Sequence, residues 1–258
     1  MRGNMSNKNL KNITLAGVAL TLATCVSVNA DSLSDKDTKV LNLQAENISR
    51  LNIDAAAGFL KVSGDDSINE IQVKAMIEAP DEDIKLSLKQ DGNRAILIAD
   101  ANPKNHSSWG FNTRKIDLVV KLPSNLILQI HDGSGEISVN NIKQKVKIDD
   151  GSGSMEIHNI KGDLEIDDGS GSLTVTNISG NVRIDDGSGS MRVENIDGKL
   201  NIEDGSGSMD ILEVSGLVTI DDGSGSINLK QLHNGLTIIE EGSGGLKMSD
   251  VKGPISMQ

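Results

Sequence analysis

The sequence predicts an all-β chain wound into a single-stranded parallel β-helix, a solenoid with coils of 18 residues. Three observations carry this. The first is a repeat: the stretch Ile148-Asp149-Asp150-Gly151-Ser152-Gly153-Ser154-Met155 recurs almost unchanged, its leading glycine falling at Gly133, Gly151, Gly169, Gly187, Gly205, Gly223 and Gly242, with steps of 18 residues and a last step of 19. A fixed period of this size marks a stacked-repeat architecture. The second is composition: aromatic content is 1%, with no tyrosine and 27 glycines. A solenoid interior is a narrow stack of aliphatic layers and needs few large rings. The third is uniformity. Aligned by the repeat, the apolar positions form five columns, headed in one coil by Met155, Ile157, Ile160, Leu164 and Ile166 and refilled by Ile, Leu, Val or Met throughout. Such columns arise when each residue lies above its equivalent in the next coil.

The chain divides into four stretches. Residues 1–30 have the pattern of a secretory signal peptide: Arg2, Lys8 and Lys11 precede an uncharged run from Ile13 to Val28, and Val28-Asn29-Ala30 puts small residues before a cut at Asp31. The only cysteine, Cys25, lies in this segment. It is either an apolar-region residue removed with the leader or a lipid attachment site, for which Thr24 is a poor preceding residue. The expected location is therefore outside the cytoplasm: periplasm, cell surface or medium. No second long apolar segment follows, so no transmembrane segment is expected in the mature chain.

Residues 31–50 read as a polar leader and an N-terminal cap, with one apolar run at Val40-Leu41-Asn42-Leu43. A solenoid end needs such a cover, because an open edge strand invites pairing with another chain. Residues 51–130 show two-residue alternation in short pieces, at Leu51/Ile53, Leu60/Val62, Ile71/Val73, Ile84/Leu86/Leu88 and Ile116/Leu118/Val120, with a further apolar piece at Ile96/Leu97/Ile98. They read as irregular coils of the same solenoid with longer corners. One polar loop, Asn102 to Arg114, interrupts them and carries His106 and Trp109, a possible binding loop or a loop packed on the flank. Residues 131–258 are the regular array. Two corners and two main strands per coil are expected, a short third face at Ile160 stays open, and parallel crossovers favour a right-handed winding. Asn141, Asn159, Asn177 and Asn195 form a column that suits both a turn and an amide ladder.

The chemistry-bearing feature is an acidic ladder. Asp132, Asp150, Asp168, Asp186, Asp204 and Asp222 stack at the repeated corner, followed in the last coil by Glu241. The column before them reads His131, Asp149, Asp167, Asp185, Glu203, Asp221 and Glu240, provided that the extra residue of the last coil is Ile239. At a strand spacing of about 4.8 Å, two like charges repel by about 0.9 kcal/mol in water and roughly 3.5 kcal/mol at an effective dielectric of 20. Three remedies are available: hydrogen bonds from the Gly-Ser-Gly backbone, solvation and screening, or Ca²⁺ bridging neighbouring coils, which would make these six aspartates metal ligands. The acids precede the glycines, unlike the calcium β-roll motif, in which the aspartate follows them.

Other chemistry is sparse. His106, His131, His158 and His233 share no column, so no metal cluster is implied, and no repeated serine has a histidine beside it. Net charge is −12. A chain this acidic repels phosphate backbones, which excludes nucleic acid as an expected partner.

Together these features resemble the bacterial putative-adhesin family of exported β-strand-repeat proteins. The residues that carry the resemblance are the Asp-Asp-Gly-Ser-Gly-Ser repeat, the Leu122-Pro123-Ser124-Asn125 turn, and the opening Leu51-Asn52-Ile53 with Gly58 and Val62-Ser63-Gly64, over residues 39–258. The resemblance implies a parallel β-solenoid with no catalytic residues. The expected function is a non-enzymatic envelope or adhesion module with an unknown envelope or surface partner. The alternative is a polysaccharide-binding or polysaccharide-acting β-helix protein centred on the His106–Trp109 loop.

Overall fold

A computed structural model describes residues 37–78, 84–101 and 114–257. The leader, Cys25 and the loop bearing His106 and Trp109 lie outside the described residues. Those described form 22 strands in two sheets of 11 strands each. Among them no helix is long and apolar enough to cross a membrane.

In the regular array each coil supplies one short strand and one long one. The short strands are β8 (Ile127–Asp132), β10 (Val146–Asp150), β12 (Leu164–Asp168), β14 (Val182–Asp186), β16 (Leu200–Asp204), β18 (Val218–Asp222), β20 (Leu236–Glu240) and β22 (Ile255–Met257). The long strands are β9 (Gly135–Ile142), β11 (Gly153–Ile160), β13 (Gly171–Ile178), β15 (Gly189–Ile196), β17 (Gly207–Val214), β19 (Gly225–Leu232) and β21 (Leu246–Val251). Each set stacks in parallel, and residues pair with their equivalents 18 positions on, as Ile148 does with Ile166 and Met155 with Leu173. The five apolar columns fill the space between the sheets and are buried from the first regular coil to Ile238. In the coil 246–257 the same columns surface at Met248, Ile255 and Met257.

There are two faces, not three. Strict alternation would send Asn159 inward after Met155 and Ile157. Asn159 instead adopts φ 57°, and Asn141, Asn177 and Asn195 adopt φ 60°. One left-handed residue acts as a bulge, shifts the alternation by one, and turns Ile160 inward at the end of the same strand. Asparagine tolerates this conformation better than most side chains. Its amides also form a ladder: Asn159 donates to Asn141 (3.3 Å), Asn177 to Asn159 (3.2 Å) and Asn195 to Asn177 (3.1 Å). Turn former and ladder are both present. The extra residue of the last step is Ile239, since Ile220 pairs with Ile238 and Asp221 with Glu240.

The N-terminal strands join the same two sheets in an order that does not follow the chain. They are β1 (Asp37–Gln44), β2 (Arg50–Ala55), β3 (Leu60–Asp65), β4 (Glu70–Glu78), β5 (Lys85–Asp91), β6 (Arg94–Asp100) and β7 (Lys115–Pro123). The coil made by β2 and β3 stacks directly on the coil made by β8 and β9. The later coil of β6 and β7 lies on its other side. Three pairings are antiparallel: β4 on β7, β1 on β4 and β5 on β6. Residues 51–130 are thus not a simple succession of coils. Alternation specifies which side chains face inward, and that pattern is the same whether the neighbouring strand is parallel or antiparallel, next in sequence or distant.

Candidate functional site: the acidic corner

The corner follows from alternation. In β12, Leu164 and Ile166 face inward and Glu165 and Asp167 outward, so Asp168 must face inward. The same parity buries Asp132, Asp150, Asp186, Asp204 and Asp222, each between 1% and 7% exposed. The six stand in register, rung on rung. The file begins above Ala55, which pairs with Asp132, and ends where Glu240 and Glu241 turn out to solvent. The alternate column, from Asp149 through Asp167, Asp185 and Glu203, is solvated. At its head the His131 Nδ1 lies 3.4 Å from the Asp149 carboxylate.

The turn explains part of the burial. The Ser170 N–H donates to Asp168 Oδ1 (3.2 Å) and the Ser188 N–H to Asp186 Oδ1 (3.1 Å). The corner glycine amides help less: those of Gly133 and Gly151 lower Asp132 and Asp150, against the larger effect of burial. Gly169 N–H donates to the Asp150 carbonyl (2.9 Å), Gly187 N–H to the Asp168 carbonyl (2.8 Å), and Gly171 N–H to the Ser188 carbonyl (2.9 Å), so these amides serve the inter-coil ladder. In consequence both carboxyl oxygens of Asp132, Asp150 and Asp222, and one of Asp168 and of Asp204, are buried with no hydrogen-bond partner. Burial first, and then the charge of the neighbouring rung, pushes Asp132 up to about 7 and Asp168 and Asp204 up to about 6. Asp150, Asp186 and Asp222 are also raised, by burial.

The six residues expected to bind calcium are therefore brought together, but as a single file along the solenoid. Calcium takes a shell of about six to eight oxygens around one point. Among the described residues no group of three or more His, Cys, Asp or Glu side chains is disposed to hold a metal ion, and the file does not fit that shell.

Two further buried or clustered acids were not singled out by sequence reasoning. Asp117 is buried but well partnered, accepting from the Phe59 N–H (3.1 Å) and lying 3.2 Å from the Lys115 ammonium. Near the N-terminal cap, a cavity of about 720 Å³ is lined by residues that include Gln44, Asp66, Asn69, Ser124 and Lys143. There the buried Ser124 hydroxyl donates to Asp66, and Lys143 Nζ lies 2.6 Å from the same carboxylate. Lys143 and then Ser124 hold Asp66 below the usual carboxylate range. No sequence signal could have joined these residues, since the permuted stacking alone brings Asp66 to Ser124.

Sheets, columns and corner define a parallel β-solenoid protein. The chain belongs to the Toastrack DUF4097 family, whose model matches residues 93–253. No curated protein matches it. Among solved structures it is similar to a putative lipid binding protein from Parabacteroides distasonis ATCC 8503, at 16% identity over 86% of this chain and 96% of that one, with TM-score 0.49. It is also similar to a putative adhesin from the same strain (10% identity, 86% and 97% covered, TM-score 0.45) and to one from Parabacteroides merdae ATCC 43184 (12% identity, 86% and 96% covered, TM-score 0.36).

Proposed function

We propose that this protein is an exported, non-enzymatic interaction module of the cell envelope, and that adhesion to a surface partner is its role. The observation that carries this is the sameness of its coils. Catalysis needs one special constellation of groups with matched pKa values, whereas the outward acids Asp149, Asp167, Asp185, Glu203 and Asp221 repeat with the coil and give a row of similar contact positions along one surface. The cleft at Ser124 supports the same reading. Its serine is spent on Asp66, and a carboxylate held below its ordinary pKa is a poor general base.

The test uses the chain from Asp31 onward, purified and presented to immobilised envelope glycans and matrix proteins. Saturable binding that weakens when Asp167, Asp185 and Glu203 are changed together to Lys, with no turnover of any bound glycan, is the expected result. Turnover of a glycan that a single substitution abolishes would overturn the proposal. Fractionation of cells carrying the full chain should place it outside the cytoplasm with residues 1–30 removed.

A further inference from the structure

The buried file of aspartates is short of the ordinary means of carrying its charge. Among the described residues no Lys or Arg acts on these buried carboxylates. The long-strand sheet presents apolar Met155, Leu173, Met191, Met209 and Ile227. The short strands add the outward acids Asp149, Asp167, Asp185 and Asp221, which raise the charge further. Among the described residues the basic side chain beside the file is His131, next to the first rung. The Gly-Ser-Gly turns offer serine amides, while the glycine amides are shared with the ladder to the neighbouring coil and, at Gly133 and Gly151, only partly offset burial. Solvent is shut out, and the unpartnered oxygens belong to adjacent rungs of one in-register stack.

We propose that the ladder is held by shared protons: at alternate rungs a neutral carboxyl group donates its hydrogen to the ionised carboxylate of the next rung, so that the corner binds protons and tightens the solenoid as the medium acidifies. Each proton comes from solvent, adds to one carboxylate and removes one negative charge from the file. In the pairing Asp132 with Asp150, Asp168 with Asp186 and Asp204 with Asp222, one partner of each pair is neutral and its proton joins one oxygen of each rung. The alternation follows from the stack itself. A charged rung disfavours charge on both neighbours, as in any pair of carboxylates sharing a site.

The sign of the pH effect follows by linkage. An aspartate that titrates near 3.9 when unfolded and at about 6 to 7 when folded takes up a proton on folding between those values. Stability from the ladder is full below the unfolded value and is lost as pH rises through about 6 to 7. This runs opposite to the usual salt-bridged carboxylate, which loses stability in acid.

The experiment is a series of thermal melts of the full chain from pH 5 to pH 8, each with chelator and with added calcium. The melting temperature should fall by several degrees from pH 5 to pH 8 and be indifferent to both additions. Changing Asp132, Asp168 and Asp204 together to Asn supplies permanent amide donors. This variant should melt higher than the parent at pH 8 and show a flatter profile, while Asn at the outward Asp149, Asp167 and Asp185 leaves the slope in place. A melting temperature that rises from pH 5 to pH 8, or one that drops on chelation at neutral pH, overturns the proposal. Should the triple variant not fold, carboxyl-carbon NMR of the parent decides it. At least two aspartates titrating above about 5.5 support shared protons, and six titrating below 4.5 exclude them.

Discussion

At the scale of single residues, the fold depends most on positions where a coil touches the next with no room for a side chain. Gly171 has φ +147°, and a Cβ there would sit 1.5 Å from the Gly153 carbonyl oxygen. The same contact recurs at Gly153, Gly189, Gly207 and Gly225. Gly171→Ala combines backbone strain with displacement of a neighbouring main chain, and is expected to cost about 3 kcal/mol or more. Urea unfolding of the purified variant measures it. The asparagine column poses a finer question, because Asn177 both adopts φ 60° and bonds to its neighbours. Asn177→Ala should lose about 1 to 2 kcal/mol through strain and the broken ladder. Asn177→Gly relieves the strain alone, so the gap between the two variants in the same unfolding experiment measures how much the amide ladder contributes.

At the scale of elements, the chain manages one sheet edge with antiparallel strands. β4 buries Ile71, Val73, Ala75 and Ile77 and is covered along its outer edge by β1. Removing residues 37–44 would leave β4 with a row of unpaired backbone groups on a flat apolar strand, a ready template for another chain. The truncated protein is expected to melt lower and to form soluble oligomers or aggregates, which light scattering at increasing concentration would reveal. Unchanged monomeric behaviour would show that β1 adds nothing to edge protection. Within the array the outward columns contribute more locally. Glu165, flanked by Lys145 at 2.8 Å and by Lys147, is pulled down to about 2. Such surface pairs sharpen register more than they add stability.

At the scale of the whole array, each coil contacts the coils beside it, and stability is close to a sum of coil and interface contributions. Deleting residues 169–186 joins Asp168 to Gly187 and removes one complete coil of 18 residues. Every column then remains in register. This variant should fold to the same β-rich spectrum with a modestly lower melting temperature. Deleting half that length instead puts short strands over long ones and apolar positions at the corners, and should abolish cooperative unfolding. Circular dichroism melts of the two deletions would check the pair of outcomes. If both fold equally well, stacking in register is not what holds the array.

Much of this could be read directly from the residues. The period, the five columns, the stacking of the acids at each corner, the Ile239 insertion and the asparagine column all follow from local alternation repeated at a fixed step. A repeat that stacks on itself leaves one consistent register. Tertiary structure decided three other things. It set the order of the N-terminal strands, because alternation names a face and not a neighbour. It brought Asp66 to Ser124 and Lys143, since that meeting depends on the permuted order. It also showed that the acidic file is sealed and short of donors. The sequence placed six acids in one column, but whether the glycine amides above them were free or already bonded to the next coil is a property of the stack alone.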